Sequence, residues 1–509
     1  MIAYILGILS ILFFYLLVLL VGLWAAKYKN KFSVDSDGSE SEDIIVAGRN
    51  IGTIVGVFTM TATWVGGGYI NGTAESTLVL GGLFFAKRMR REGFVTMLDP
   101  FQRKFGSKIG GILFLPALLG EIFWVAAILS ALGASIKVIL GFNDTVSIVL
   151  SAFVAILYTM FGGLYSVAYT DVIQLFLIFA GLWISIPFAW KSKFVSFKTL
   201  KRSELIGQLK SNQIGPYLDT LLLLMLGGIP WQVYFQRVLS SRSEKRAMYI
   251  SYAAAVGCVV MAIPSILIGV IAKCTDWNQT SYIGIKPIPP DDQKLILPLV
   301  LQYLTPTYIS FIGLGAISAA VMSSADSSVL SASSMYARNV WKLVFRNKAS
   351  EREIILVMRI GILVIGSVAS LLAIFIKSVY TLWVLSADLV YVIIFPQLVC
   401  VTYISCSNTY GSLSSYLIAL ILRVIGGEDT IGIPALVRYP FYNYADKIQI
   451  FPFRTFSMLI GLITHIFVSV FTDHIFKSGK LSSKYDFFKC VTNIPAETIP
   501  LKERSSMIE

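Results

Sequence analysis

Long apolar stretches separated by short polar ones dominate this chain of 509 residues. A helix needs about 20 mainly apolar residues to cross a bilayer. The pattern predicts an all-α integral membrane protein with twelve clear spanning helices. The candidate spans are residues 3–26, 50–75, 109–139, 146–163, 168–190, 215–235, 250–272, 296–337, 354–377, 380–404, 410–425 and 453–476.

Two of these apolar segments have unusual lengths. Residues 296–337 are too long for one simple span, so we expect a helix with an irregular start. A thirteenth candidate, residues 76–86, reaches only about 16 Å as a helix, whereas the hydrocarbon core is about 30 Å thick. We therefore expect 12–13 transmembrane helices. The first run has no basic leader and no small-residue cleavage site, which favours a retained helix over a signal peptide.

Composition excludes several classes of function. Charged residues make up 14% of the chain and apolar residues 56%, whereas a soluble domain carries about 25% charged residues. A soluble cytosolic enzyme is therefore excluded. The net charge is +13, but the basic residues lie in short clusters between apolar runs, as membrane flanks do, and we expect no nucleic-acid partner. Five scattered cysteines and two late histidines predict no metal centre or cofactor.

The basic clusters predict the orientation of the chain. They lie at residues 27–31, 87–108, 237–246 (Arg237, Arg242, Lys245 and Arg246) and 338–352. If all face the cytoplasm, the N-terminus is outside and the tail inside. This alternation requires something to cross near residues 76–86, and it leaves the basic loop at 191–210 outside. The sequon at Asn278 also falls outside, which predicts glycosylation there.

Two apolar segments contain helix-breaking residues. One is TATWVGGGY at residues 61–69, and the other is LGGIPWQVY at residues 226–234. Glycine runs and Gly-Gly-x-Pro disfavour helix, and backbone groups freed inside a membrane need a partner. Each break carries one tryptophan, Trp64 or Trp231. Paired breaks favour a midplane binding site between two repeats, although close helix packing with a proline kink would give the same pattern.

A third segment, residues 313–328, is rich in small and hydroxyl residues. Helical spacing places Ala320, Ser323, Ser324 and Ser327 on one stripe, which offers oxygen ligands for Na⁺. Hydrogen bonding between helices is the alternative role. Carboxylates inside a membrane are costly and usually functional, although capping or interfacial positions are equally compatible. The candidate carboxylates are Glu75, Glu121, Asp171, Asp326 and Asp388.

Several blocks resemble the choline-transporting members of the sodium/solute symporter family. They are TATWVGGGYINGTAE, VTMLDPFQ, GGLYSVAYTDV, LLLLMLGGIPWQ, CTDWNQT and SAAVMSSADSSVLSASSM. The resemblance covers residues 1–476. It implies an inverted-repeat (5+5) fold with an extra N-terminal helix and extra C-terminal helices. The implied transmembrane domain is residues 1–476, with repeats at about 48–190 and 215–404, followed by a cytoplasmic tail at 477–509.

The resemblance also implies a function. It implies uptake of choline, dependent on Na⁺ and Cl⁻, by alternating access across the plasma membrane, to supply acetylcholine synthesis. The implied partners are choline, Na⁺, Cl⁻ and the lipid bilayer, and a homo-oligomer is compatible with it. The implied location is the cholinergic nerve terminal and its synaptic vesicles.

The family's functional residues carry over by motif. The choline cage corresponds to Trp64, Trp124 and Trp231. The common sodium site corresponds to Ala62, Val65, Ala320, Ser323 and Ser324, and a second sodium site, present in some members, to Asp171, Ser323, Asp326 and Ser327. Chloride has no counterpart in the residue pattern. Trp277 and Trp383 are better candidates for an interfacial belt.

The chain departs from the family between Glu75 and Leu80, where about 20 residues, the length of one spanning helix, are missing. This departure makes a second function plausible, that of a truncated isoform that does not transport but binds or retains the full-length transporter. A membrane enzyme acting on choline is disfavoured, because the sequence has no P-loop and no acyl-transfer histidine motif.

Overall fold

The computed structural model describes residues 9, 13–14, 16–22, 24–25, 40–65, 74–197, 209–376, 378–428, 431–445 and 448–492. These residues are almost entirely helical, which confirms the all-α membrane class. Within the described residues, seven helical stretches are long and apolar enough to cross a bilayer. They are residues 107–140, 166–190, 211–239, 244–273, 351–375, 379–403 and 453–477.

The first half of the chain contains both predicted breaks. Its helices are α1 (Glu40–Val46), α2 (Thr53–Trp64), α3 (Ala74–Gly81), α4 (Lys87–Arg91), α5 (Asp99–Phe105), α6 (Ser107–Leu140), α7 (Asp144–Trp190), α8 (Ile214–Gly227) and α9 (Gln232–Leu239). A π-helical turn, Gly82–Ala86, joins α3 to α4 without interruption.

The second half carries the hydroxyl-rich helix and the C-terminal helices. Its helices are α10 (Glu244–Lys273), α11 (Ile296–Leu304), α12 (Thr307–Met335), α13 (Glu351–Phe375), α14 (Val379–Leu389), α15 (Phe395–Tyr403), α16 (Thr409–Ile425) and α17 (Phe453–Lys477). A π-helical turn, Val390–Ile394, joins α14 to α15. Helix α12 packs against α6, α7 and α13, so its hydroxyl groups face other helices rather than lipid.

Glycine and proline set the helix boundaries that the sequence predicted. Gly163 has φ 75° and ψ 169° inside α7, and it separates the spans expected at 146–163 and 168–190. A side chain would strain this left-handed conformation. The irregular start expected in 296–337 is Thr305 with Pro306, between α11 and α12.

Hydrogen bonds gather most of the basic clusters on one face. A nitrogen of Arg49 donates to the carbonyl of Gly93 at 2.6 Å, and Nε of Arg90 donates to the carbonyl of Ser241 at 2.6 Å. Lys104 donates to the carbonyl of Ile404 at 3.0 Å. This face is the cytoplasmic side by the positive-inside rule.

The basic loop after α7 lies on the other face. Val195 pairs with Thr275 in an isolated β-bridge, close to the sequon at Asn278. The sequence predicted that this basic loop would lie outside, contrary to the positive-inside rule, and the bridge at Val195 agrees with that position.

Helices α2 and α3–α4 form a hairpin that packs against the cytoplasmic half of α10. Gly56 and Gly82 pack against Ile250 and Ser251 near the cytoplasmic end of α10, and Thr61 packs against Gly257 at its middle. Only residues 66–73 join the two arms.

This hairpin corrects two expectations. The run at 50–75 is not one spanning helix, because α2 has 12 residues and ends at Trp64. No crossing near 76–86 is needed either. The chain enters the hairpin at the cytoplasmic face through α2 and returns to the same face through α3–α4. The alternation of the later helices is the same for a half-length hairpin as for two full spans.

Candidate functional site

The two helix breaks meet at the tip of this hairpin. Helix α2 ends at Trp64, and Val65 leaves helical geometry with φ −85° and ψ 54°. Helix α8 ends at Gly227, and the extended residue Trp231 (φ −103°, ψ 135°) precedes α9. Trp64 is therefore the last residue of α2, and Trp231 is the residue directly before α9.

Three indoles come together at this point. The ring centroids of Trp64 and Trp231 lie 5.9 Å apart with the planes at 25°. Trp124, from α6, meets Trp231 edge to face at 5.2 Å and 74°. The exposed fractions of Trp64, Trp124 and Trp231 are 9%, 2% and 6%. The structure thus brings together all three tryptophans of the predicted cage.

A small cavity of about 20 Å³, enough for about one water molecule, lies beside these rings. Its wall consists of the three tryptophans with Ala74, Leu224, Gly228, Trp383, Ser386 and Ala387. Glycine is required at position 228, because a Cβ there would lie 3.1 Å from the Trp64 ring and 2.9 Å from Thr77.

The interfacial role expected of Trp383 is wrong. Its side chain is buried and lines the cavity from α14. Its local sequence, VYTLWVLS, resembles that of a tryptophan at a membrane surface, so only the packing of α14 against α8 reveals its position.

The wall is aromatic but offers two polar groups. The indole Nε1–H groups of Trp64 and Trp231 are buried and find no acceptor among the described residues. Both can donate to a hydroxyl oxygen of a bound molecule. The described residues that line the cavity include no carboxylate. The arrangement suits a small organic cation that contacts ring faces and carries one hydrogen-bond acceptor.

The predicted sodium ligands lie beside the cage. The hydroxyl of Ser324, on α12, donates to the carbonyl oxygens of Thr63 at 3.1 Å and Ala62 at 3.4 Å. These carbonyls belong to the last turn of α2, where no further helical turn supplies donors. Val65 follows directly and is buried, whereas the side chain of Ala320 lies outside the described set. The donors are hard oxygens, which fit Na⁺.

A second polar cluster surrounds Asp171 on α7. Its carboxylate accepts hydrogen bonds from the hydroxyls of Thr59 and Ser323. Arg237, from α9, pairs with the same carboxylate at 3.4 Å and donates to the hydroxyl of Ser327. The cluster ties both broken helices to α7 and α12.

One sequence expectation changes in this cluster. Arg237 was assigned to a cytoplasmic flank, but its side chain is 1% exposed inside the protein. Asp326, assigned to the second sodium site, accepts a hydrogen bond from Thr159 on α7 at 2.9 Å, and its role in that site stays a prediction. The chemistry of Asp171, Ser323 and Ser327 fits a cation, but a guanidinium already binds there. Thr59 and Thr63 were not predicted, because a threonine in an apolar helix gives no signal of its own.

The glycosylation sequon is accessible. Asn278 is exposed in a short turn, Trp277–Gln279, on the face opposite the basic clusters. We expect Asn278→Gln to increase the electrophoretic mobility of the protein expressed in animal cells, to the same degree as glycosidase treatment. Asn143→Gln is the matched control, because Asn143 caps α7 close to the membrane and should leave mobility unchanged. Equal mobility of the Asn278 variant and the original protein would contradict the assignment.

The part of the chain that contains both helix breaks matches a known protein family. The family described as the sodium:solute symporter family matches residues 44–419. This chain belongs to the sodium:solute symporter family.

Individual relatives are more specific. The chain is 55% identical to the High-affinity choline transporter 1 of Drosophila melanogaster, over 96% of this chain and 82% of that one. It is 53% identical to the Caenorhabditis elegans protein of the same name, over 97% and 90%. It is also 53% identical to the High affinity choline transporter 1 of Homo sapiens, over 95% and 88%. These relatives are transporters and not enzymes.

A solved structure supports the fold. The structure of a Na⁺-coupled sialic acid symporter in a substrate-bound, outward-open state matches with a TM-score of 0.70 at 17% identity. The match covers 92% of this chain and 97% of the other. The sodium-symporter fold expected from the sequence is thereby confirmed.

Proposed function

We propose that this chain takes up choline across the plasma membrane, coupled to Na⁺, by alternating access. The observation that carries the proposal is the buried cluster of three indoles where both helix breaks meet. The relatives named as choline transporters agree with it. Chloride dependence, and supply of choline for acetylcholine synthesis at cholinergic nerve terminals and in synaptic vesicles, rest on the resemblance alone and form part of the proposal.

Choline suits this cavity chemically. Its quaternary nitrogen has no N–H, so directed hydrogen bonds cannot hold it. Aromatic faces attract it through their quadrupole, at about 2 kcal/mol or more per desolvated contact. The rings of Trp64 and Trp231 are stacked on each other and the cavity is small, so the rings must move apart before the cation can lie against Trp124 and Trp383. The choline hydroxyl oxygen accepts from one of the two free indole N–H groups.

Sodium bridges two helices in this mechanism. An ion between the Ala62 and Thr63 carbonyls and Ser324 holds the end of α2 against α12. Trp64 is the next residue along α2, so the ion favours the form of the cage that binds choline. Coupling needs only this difference in binding energy between the two conformations. The membrane potential adds about 2.3 kcal/mol per charge per 100 mV.

The test of this function is radiolabelled choline uptake into cells that express the chain. Replacing external Na⁺ by K⁺ with chloride held constant should abolish most of the uptake. Replacing chloride by gluconate with Na⁺ held constant tests the chloride part separately. Uptake that continues unchanged without Na⁺ contradicts the coupling.

Ser324 offers a local test of the ion site. We expect Ser324→Ala to raise the Na⁺ concentration for half-maximal choline uptake about fivefold to tenfold, because losing one ligand costs about 1–1.4 kcal/mol. Ser334→Ala is the matched control, since that hydroxyl bonds only within α12, to the carbonyl of Ser331. Equal Na⁺ dependence in both variants would argue against Ser324 as a ligand.

A second function is favoured by the half-length hairpin. Alternating access needs a wall that closes the outer side of the cage, and α2 with α3–α4 reaches only the middle of α10. The chain would then bind choline and Na⁺ without transporting them, and would associate with a full-length transporter.

Two measurements separate these functions. Equilibrium binding of labelled choline to the purified chain, without uptake in proteoliposomes, would favour the binding role. Co-expression should then lower the surface uptake of a full-length transporter, relative to co-expression of the Trp231→Ala variant and of an unrelated multi-pass protein. Na⁺-driven uptake by the chain alone would exclude the binding role.

A further inference from the structure

Glu121 is a buried carboxylate that the proposed mechanism does not use. It lies on α6 one turn before Trp124 and is 3% exposed. Neither of its oxygens makes a hydrogen bond of normal geometry within the described part of the chain, and the hydroxyl of Ser328 beside it is also unsatisfied. An unpaired carboxylate inside a membrane protein is costly and marks a functional position.

Arg237 lies within electrostatic reach of this carboxylate. Its guanidinium donates to Ser327, and the next residue on α12, Ser328, lies beside Glu121. The guanidinium pairs with Asp171, donates to Ser327 and to the Gln236 side chain, and leaves its Nε without a partner in the described residues. One arginine therefore lies between two buried carboxylates.

We propose that Arg237 is a positioning residue that exchanges between two carboxylates, Asp171 and Glu121, and that Na⁺ binding at Asp171 drives the exchange. In one arrangement the guanidinium pairs with Asp171, at 3.4 Å. An ion that takes the oxygens of Asp171 and Ser323 repels the guanidinium and removes its acceptor. The free carboxylate of Glu121 then receives it. The identity of the ion rests on the proposed function.

This exchange connects the ion site to the cage. Arg237 lies on α9, the helix that begins directly after Trp231, and Glu121 lies on α6 with Trp124. The two tryptophans are in edge-to-face contact at 5.2 Å. An ion pair between Arg237 and Glu121 would join the two helices that carry these rings. Na⁺ would thereby change the cage without contacting it, which is the reciprocal coupling that cotransport requires.

The experiment measures the thermal unfolding midpoint of the purified full-length chain against Na⁺ concentration, with K⁺ replacing Na⁺ at constant chloride. Glu121→Gln removes the second acceptor, so the Na⁺ concentration at half-effect should rise about tenfold, within the range usual for coupled sites. Glu121→Asp keeps the charge and should restore most of the response. Arg237→Gln removes the competing cation and should lower the half-effect concentration severalfold.

The double variant distinguishes the exchange from a general structural effect. In the Arg237→Gln background, adding Glu121→Gln should leave the Na⁺ half-effect concentration unchanged within about twofold. An unchanged Na⁺ response in Glu121→Gln, or equal shifts with and without Arg237, overturns the exchange. If Glu121→Gln does not fold, the Arg237→Gln variant provides the test. A Na⁺ half-effect concentration in Arg237→Gln that is unchanged or raised overturns the proposal. A parent chain that shows no Na⁺ response contradicts the sodium site itself, which is a separate failure.

Discussion

Trp231→Ala should weaken choline binding about 30-fold or more. Trp231 contacts both other indoles of the cage, at 5.9 Å and 5.2 Å. Its removal deletes one aromatic face and also leaves Trp64 and Trp124 without the ring that holds them in place. A desolvated cation–π contact is worth about 2 kcal/mol, which corresponds to about 30-fold in affinity. Equilibrium binding of labelled choline to the purified protein measures the loss directly, whether or not the chain transports.

The conservative variant and a distant tryptophan complete this test. Trp231→Phe keeps an aromatic face and loses the indole N–H, so its affinity should fall only about fivefold, about 1 kcal/mol. Trp190→Ala is the control, because that side chain is 45% exposed at the end of α7. Choline affinity that is the same in Trp231→Ala and Trp190→Ala would remove the cage from the mechanism.

Much of the fold follows from local properties of the sequence. Apolar runs predicted α6, α10, α13 and α17 to within a few residues, because burial in lipid is decided by hydropathy over about 20 residues. The interruptions at Gly163 in α7 and at Gly-Gly-Ile-Pro between α8 and α9 occur at residues that are poor helix formers.

The parts that were missed depend on contacts between distant segments. In the sequence, Arg237 resembles a basic residue that flanks a membrane span. Its burial is explained by its pairing with Asp171, 66 positions earlier. The hydrogen bond from Thr159 on α7 to Asp326 was not predicted either, because the two residues lie 167 positions apart. Trp383 joins the cage because α14 crosses α8, which no local pattern encodes. The sequence showed that the segment after Glu75 is short, but the half-length hairpin was not predicted, because residues 50–75 were expected to form one full span.

A second buried charge cluster fixes the C-terminal helices to the wall of the cavity. Arg423, on α16, donates through Nε to Asp388 at 2.6 Å and through a terminal nitrogen to Glu428 at 2.6 Å. Arg454, on α17, donates to the same Glu428 oxygen at 2.6 Å. Asp388 follows Ala387, which lines the cavity. The cluster therefore joins α14, α16 and α17.

Arg423→Met should destabilise the protein by about 3–5 kcal/mol, the range found when one partner of a buried ion pair is removed. The change leaves Asp388 and Glu428 sharing Arg454, whose Nε lies 3.6 Å from Asp388. Since two buried carboxylates then depend on one guanidinium, the desolvation cost of their charges is no longer offset. Thermal and denaturant unfolding of the purified chain in detergent would show the loss.

Removing the opposite charge as well should recover most of this stability. Arg423→Met combined with Asp388→Asn deletes both members of the pair, so the double variant should be more stable than Arg423→Met alone. Arg359→Met is the matched control, because that arginine is exposed on α13 and should change stability by less than about 0.5 kcal/mol. If Arg423→Met and Arg359→Met unfold at the same point, the cluster does not hold the C-terminal helices. A double variant weaker than Arg423→Met would mean instead that Asp388 is held chiefly by Arg454.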